Sequence, residues 1–178
     1  VQALLSHGET LRREGRAIDA ERELREALAG ATAVGLVEDQ WKAEYALGRV
    51  LESESRTADA RSLFEAAIAH IESVRSDVRT VALRSEFLAD KRDVYDALVE
   101  LHLAQRPVDA GAVFSLVEKS RARTWQDRVR QAAPQASLDD VQRRLPADTL
   151  LIEYWIGQAS SAAIWLSRTG SGVVVRQG

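Results

Sequence analysis

The stretch HGETLRREGRAIDAERELREA at residues 7–27 returns, altered but aligned, as LGRVLESESRTADARSLFEAA at residues 47–67. Sliding the chain by 40 residues sets Gly8, Leu11, Ala20, Leu24 and Ala27 on Gly48, Leu51, Ala60, Phe64 and Ala67. Arg16 then falls on Arg56 and Asp19 on Asp59. The apolar positions of both copies recur at helical spacing, and a repeat of this length marks stacked helix pairs that each bury a face on the next. The expected architecture is therefore mainly α, an α-solenoid of helix pairs. Gly inside a helix costs roughly 1 kcal/mol relative to Ala, so a Gly fixed twice at one place needs a compensating reason. The expected reason is close approach, with Gly8 and Gly48 letting the first helix of each pair press on Ala20 and Ala60 of the second.

Outward from the repeat, helices are predicted at about residues 2–14, 17–33, 37–54, 57–73, 77–105 and 108–131. Ser76 is the expected N-cap of the long fifth helix, which carries Val81, Phe87, Leu88, Val94, Tyr95, Leu98 and Leu101. Pro107 stands where a helix can start but not continue. A third unit lacks the Gly but keeps Leu98, Leu101, Ala110 and Phe114. Residues 1–131 are thus read as helical repeats and 132–137 as a linker. From 138 to 178 the character changes: Ser137-Leu-Asp-Asp140 reads as a capping box, and Pro146 ends the short helix it opens. Apolar and aromatic runs at residues 149–156, 162–166 and 173–175 then predict a β-meander of up to three strands.

The positions Leu4, His7, Gly8, Leu11, Ala20, Leu24 and Ala27, with Glu44, Leu47, Gly48, Leu51, Ala60, Phe64 and Ala67 in the second copy, resemble the tetratricopeptide (TPR) signature. Glu44 departs from it where a large apolar residue is usual, and Thr32 and Glu72 where Pro is. The period also exceeds the usual ~34 residues, with Trp41 and Trp125 as extra packing. The order Ala110-x3-Phe114-x3-Glu118-Lys-Ser-Arg121-Ala122-Arg123, then Leu138-x2-Val-Gln-x2-Leu145-Pro and Leu150-Leu-Ile-Glu-Tyr154, resembles TPR–CHAT proteins, in which a TPR array leads into a caspase-like domain. The resemblance implies that 138–178 is the truncated start of an α/β caspase-like CHAT domain, downstream of a partner-binding, regulatory segment. It implies a parent that is a caspase-like cysteine peptidase; the alternative is a non-enzymatic adaptor with a structural CHAT-like portion. The family's His and Cys lie further along that domain. No catalytic residue is carried over, because the chain has no Cys and His7, His70 and His102 all fall in the helical part.

Composition narrows the class. Net charge is −3, with 27 acidic and 24 basic residues, and no apolar run approaches the roughly 20 residues of a membrane span. The basic run Lys119, Arg121, Arg123, Arg128 and Arg130 splits between two helix faces, so neither nucleic acid nor membrane is expected as a partner. Without Cys there is no disulfide, thiolate metal site or cysteine nucleophile, and three dispersed His make no metal site. No phosphate-binding or hydrolase motif appears, and no cofactor is expected. Met and Asn are absent and Arg outnumbers Lys. The expectation is a cytoplasmic, GC-rich bacterial protein, cut from a longer chain with repeats upstream of Val1.

Two sets of residues are singled out. Transferred onto the TPR register, first-helix positions would line a groove for a protein or peptide partner: Leu5, Glu9, Arg12 and Arg13; Lys42, Tyr45, Arg49 and Glu52; Arg92, Tyr95 and His102. Cationic and aromatic members suit an acidic or extended peptide; a solvated helix face is the alternative. The second set is interdomain. Arg121 lies in the stripe formed by Val113, Phe114, Val117 and Trp125, with Arg128 a further seven residues on. It must snorkel or pair, and Asp93, Asp96 and Glu153 are its candidate partners. The strand region is expected to pack in part on the last helix, leaving Ile152, Trp155, Ile164 and Trp165 uncovered and an apolar edge at Val173 to Val175.

Overall fold

A computed structural model of the chain describes residues 1–77, 91–129 and 137–178, with the side chains of 75–77 and 121–129 outside that description. The described residues are mainly helical and end in a small antiparallel sheet. They form two compact units, Val1–Arg79 and Thr80–Gly178.

The first unit holds α1 (Gln2–Arg13), α2 (Ala17–Val34), α3 (Val37–Ser53) and α4 (Thr57–Asp77). Successive helices pack on one another, and α1 also touches α3. Their shared core is built from the repeated positions: Leu11, Leu24 and Ala27 in one copy, Leu51, Phe64 and Ala67 in the other, all buried. The turns repeat too. Gly15 and Ser55, 40 residues apart, both take a left-handed backbone, with φ of 76° and 62°. In each turn the next N–H returns to the helix just ended, Arg16 to Leu11 O and Arg56 to Leu51 O, both at 2.9 Å. Gly35, at φ 71°, closes α2 in the same way.

The two helix-interior glycines are tight contacts, but not with the alanines expected from the sequence. A methyl group on Gly8 would stand 2.7 Å from Leu24 Cγ, and one on Gly48 would stand 2.5 Å from the Phe64 ring. The large residue four places beyond Ala20 or Ala60 fills the notch.

The second unit holds α5 (Arg92–Leu103), α6 (Ala110–Val129), α7 (Leu138–Arg144) and strands β1 (Leu151–Ile156), β2 (Ser160–Leu166) and β3 (Ser171–Gln177). The predicted single helix over 77–105 is corrected here. Helix α4 runs on through Ser76, so no helix starts there, and α5 begins only after Lys91. Residues 78–90, with Val81, Phe87 and Leu88, lie outside the described residues. Asp109, not Pro107, opens α6, its carboxylate accepting from Ala112 N at 3.0 Å. Most of the predicted linker also lies outside the description, and Ser137 caps α7 through the reciprocal box with Asp140 that the sequence predicts.

The sheet order is β1-β2-β3, both pairs antiparallel. Leu151 pairs with Leu166 and Trp155 with Ala162, while Ile164 pairs with Val173. Alternation sets Trp155, Ala162, Ile164 and Leu166 on one buried face, and α6 packs against β2 and β3. The four residues expected to share an uncovered face therefore divide. Ile152 lies opposite Trp165 on the outer face, whereas Trp155 and Ile164 are core. The interval from 152 to 155 is odd, so the pleat sends those side chains to opposite sides.

Candidate functional site

The first-helix cations of the first unit are not bare charges. Arg12 Nη2 donates to Glu9 Oε2 at 3.1 Å, one turn back on α1. On α3 the order inverts: Arg49 Nη1 lies 3.2 Å from Glu52 Oε2. Lys42 Nζ sits 2.9 Å from Glu38 and 5.6 Å from the Trp41 ring centre. Arg13 reaches Glu9 only at 3.9 Å and is largely exposed. The Tyr45 ring leans on Phe64, with centres 5.9 Å apart. The sequence-predicted groove residues of this unit thus share helix faces but are largely self-neutralised by i, i+3 and i, i+4 partners. In the second unit Arg92 Nε lies 3.3 Å from Asp96, and Tyr95 is only 2 % exposed. Tyr95 belongs to the core of α5, so its place as a groove-lining residue is corrected.

Two polar features of the first unit escaped the sequence reading. Arg56 Nη1 reaches back 35 residues to grip Glu21 at 3.0 and 3.1 Å, while Arg56 Nη2 holds Asp59 at 3.1 Å. Burial pushes the Glu21 carboxyl up, but hydrogen bonds from Arg25 and Arg56 outweigh it and hold the group below its usual range. The recurrence of Arg16 at Arg56 was the signal; its long-range partner had none. The second feature sits where Glu44 breaks the apolar signature. His70 Nδ1 of α4 lies 2.8 Å from Glu44 Oε2, whose side chain is 8 % exposed. Burial raises the Glu44 carboxyl above its usual range, and the His70 contact opposes that rise.

In the second unit the sheet is tied to α5. Trp155 Nε1 donates to Asp96 Oδ1 at 2.8 Å, and Ala159 N donates to Glu100 Oε1 at 3.2 Å. Burial pushes the Asp96 carboxyl up, and the indole hydrogen bond pulls it back. Asp96, expected among the partners of Arg121, is thus engaged by Trp155 and Arg92. The side chains of Arg121, Trp125 and Arg128 lie outside the described residues; Glu153 is half-buried on the α6-facing side of β1. Beside it an open pocket of about 550 Å³ is lined by Phe114 and Glu118 of α6, Val141 of α7 and Leu151 to Tyr154. Gln142 of α7 donates to Ser167 O and Gly170 O at 2.8 and 2.9 Å, fixing the β2–β3 turn.

Among the described residues no group of His, Asp and Glu is placed to hold a metal ion, and no helix is long and apolar enough to cross a membrane. Comparison of the chain with protein-family models, curated proteins and solved structures finds no match.

Proposed function

We propose that this chain is the protein-binding, regulatory segment of a TPR–CHAT-type protein: a TPR-like solenoid followed by the opening strands of a caspase-like domain. In this reading the parent is a caspase-like cysteine peptidase whose nucleophile and base lie beyond Gly178. The observation that carries the TPR part is the equivalence of the two copies in three dimensions. Gly8 seats Leu24 as Gly48 seats Phe64, and the left-handed turn at Gly15 is repeated at Ser55. Equal local geometry at a fixed offset is what a stacked repeat requires. The second unit supports the CHAT part through the order α6, capped α7, three-stranded meander.

The partner would lie on α1 and α3. Because Arg12, Lys42 and Arg49 are each held by a glutamate, an acidic peptide has to displace a pair, which keeps affinity modest and the interaction salt-sensitive. Immobilised arrays of extended acidic peptides, probed with the full chain, test this. Charge reversal at Arg12, Lys42 and Arg49 together should abolish capture, and capture unchanged by the triple reversal would defeat the groove assignment. For the peptidase reading, a His followed by a Cys, each after an apolar strand beyond Gly178, is the expected sign.

A further inference from the structure

The outer face of the sheet is a built surface with a definite size and charge. Ile152, Tyr154 and Ile156 of β1 are 44, 62 and 72 % exposed, and Val174 of β3 is 63 % exposed. The register sets Trp165 of β2 between them, opposite Ile152 on one side and Gly172 on the other. The Trp165 indole lies flat across Gly172: a methyl group there would stand 2.7 Å from Nε1. The middle strand thus offers an aromatic floor and the outer strands apolar rims. The other face is already occupied, since its Trp155, Ile164 and Leu166 are buried.

Size decides what fits. At these exposures the four rim side chains present roughly 400 Å², a patch of the kind that serves recognition on a monomer, yet only about half of the ~800 Å² each partner contributes to a standard complex. A second copy pressed face to face would bury too little. Three strands span about 10 Å between the outer chains, which is the diameter of one α-helix, and six strand residues run about 20 Å, matched by roughly 13 helical residues. Charge adds direction. Among the strand residues that the register sets on this face, the only formal charge is Arg176, exposed at the far end of β3.

We infer that this face docks a single amphipathic helix of three to four turns, with an apolar stripe laid along the strands and an acidic residue on the flank above Arg176. The inference does not depend on the TPR–CHAT reading, since it uses only the sheet.

The test uses the full chain and three labelled synthetic peptides of equal composition and helicity: a Leu stripe with a Glu flank, the same stripe with a Lys flank, and a scrambled stripe. Fluorescence anisotropy should show binding of the first, at least about fivefold weaker binding of the second, and none of the third. Ile156→Lys should weaken the first by tenfold or more without changing the thermal unfolding midpoint. Arg176→Glu should invert the preference between Glu and Lys flanks. Equal binding of striped and scrambled peptides, or indifference to Ile156→Lys, would overturn the inference. So would a concentration-dependent dimer dispersed by Ile156→Lys, which would put a second copy on the face. Undiminished binding of a proline-interrupted, non-helical version would assign recognition to the β3 edge instead.

Discussion

Gly48 and Phe64 form the tightest of the repeated contacts, because an aromatic ring cannot bend away as the Leu24 side chain can. Gly48→Ala is expected to cost about 1–3 kcal/mol despite the better helix propensity of Ala, and Gly8→Ala less. Chemical denaturation of the variants measures this; a stabilised Gly48→Ala would show that the ring yields. Glu44 and His70 allow a second test. The folded-state pKa of Glu44 is raised, chiefly by burial, so protonated Glu44 favours the fold and stability falls as pH rises through that value. His70→Ala removes the group opposing that rise and should cost about 1–2 kcal/mol at pH 7, with recovery at acid pH as the carboxyl protonates. Denaturation midpoints at the two pH values settle it; an equal loss at both would mean that the histidine acts only by packing. The sequence marked Glu44 as a departure from an apolar pattern but could not supply its partner, because His70 is 26 residues away and nothing local couples them. The groove cations were legible in kind, and so were the glutamates three or four residues from them. What was missed is that each pair would close on its own helix.

Helices α1 to α3, and the start of α4, were legible to within a residue because repetition reports each boundary twice and small residues end each turn. The exception within them is Ser55. Gly15 announces its left-handed turn, whereas Ser ordinarily signals a cap, yet Ser55 takes the same conformation because the surrounding turn imposes it. Ser55→Gly should therefore stabilise the first unit by about 0.5–1 kcal/mol, read as a raised denaturation midpoint; a loss would mean that the hydroxyl holds the turn. The fifth predicted helix failed for the opposite reason. Helical periodicity continues past Asp77, where α4 ends among the described residues, and up to Lys91, after which α5 starts, and no Gly or Pro interrupts it. The strands were found from their apolar runs, but their faces were not, since Trp155 and Trp165 look alike in composition and only register tells them apart. Trp155 became the anchor to Asp96 on α5, and Trp165 stayed on the outer face.

Taken whole, the chain divides at Arg79/Thr80, so the helical region read as continuous over 1–131 is shared by both units, α5 and α6 grouping with the sheet. With no Cys in 178 residues, the full chain is expected to leave a peptide library uncut. Mass spectrometry of the incubated library checks this, and cleavage that follows the chain through two orthogonal columns would contradict it. The Glu44–His70 pair also bears on how such an array could be re-engineered. By the 40-residue offset its counterparts are Leu4 and Gly30, a hydrocarbon and a hydrogen where the second copy has an acid and a base. A consensus repeat averaged over the two copies would seat a carboxylate opposite a residue with no side chain. The two sites form one cassette, and a graft that moves either half alone inherits a stranded charge.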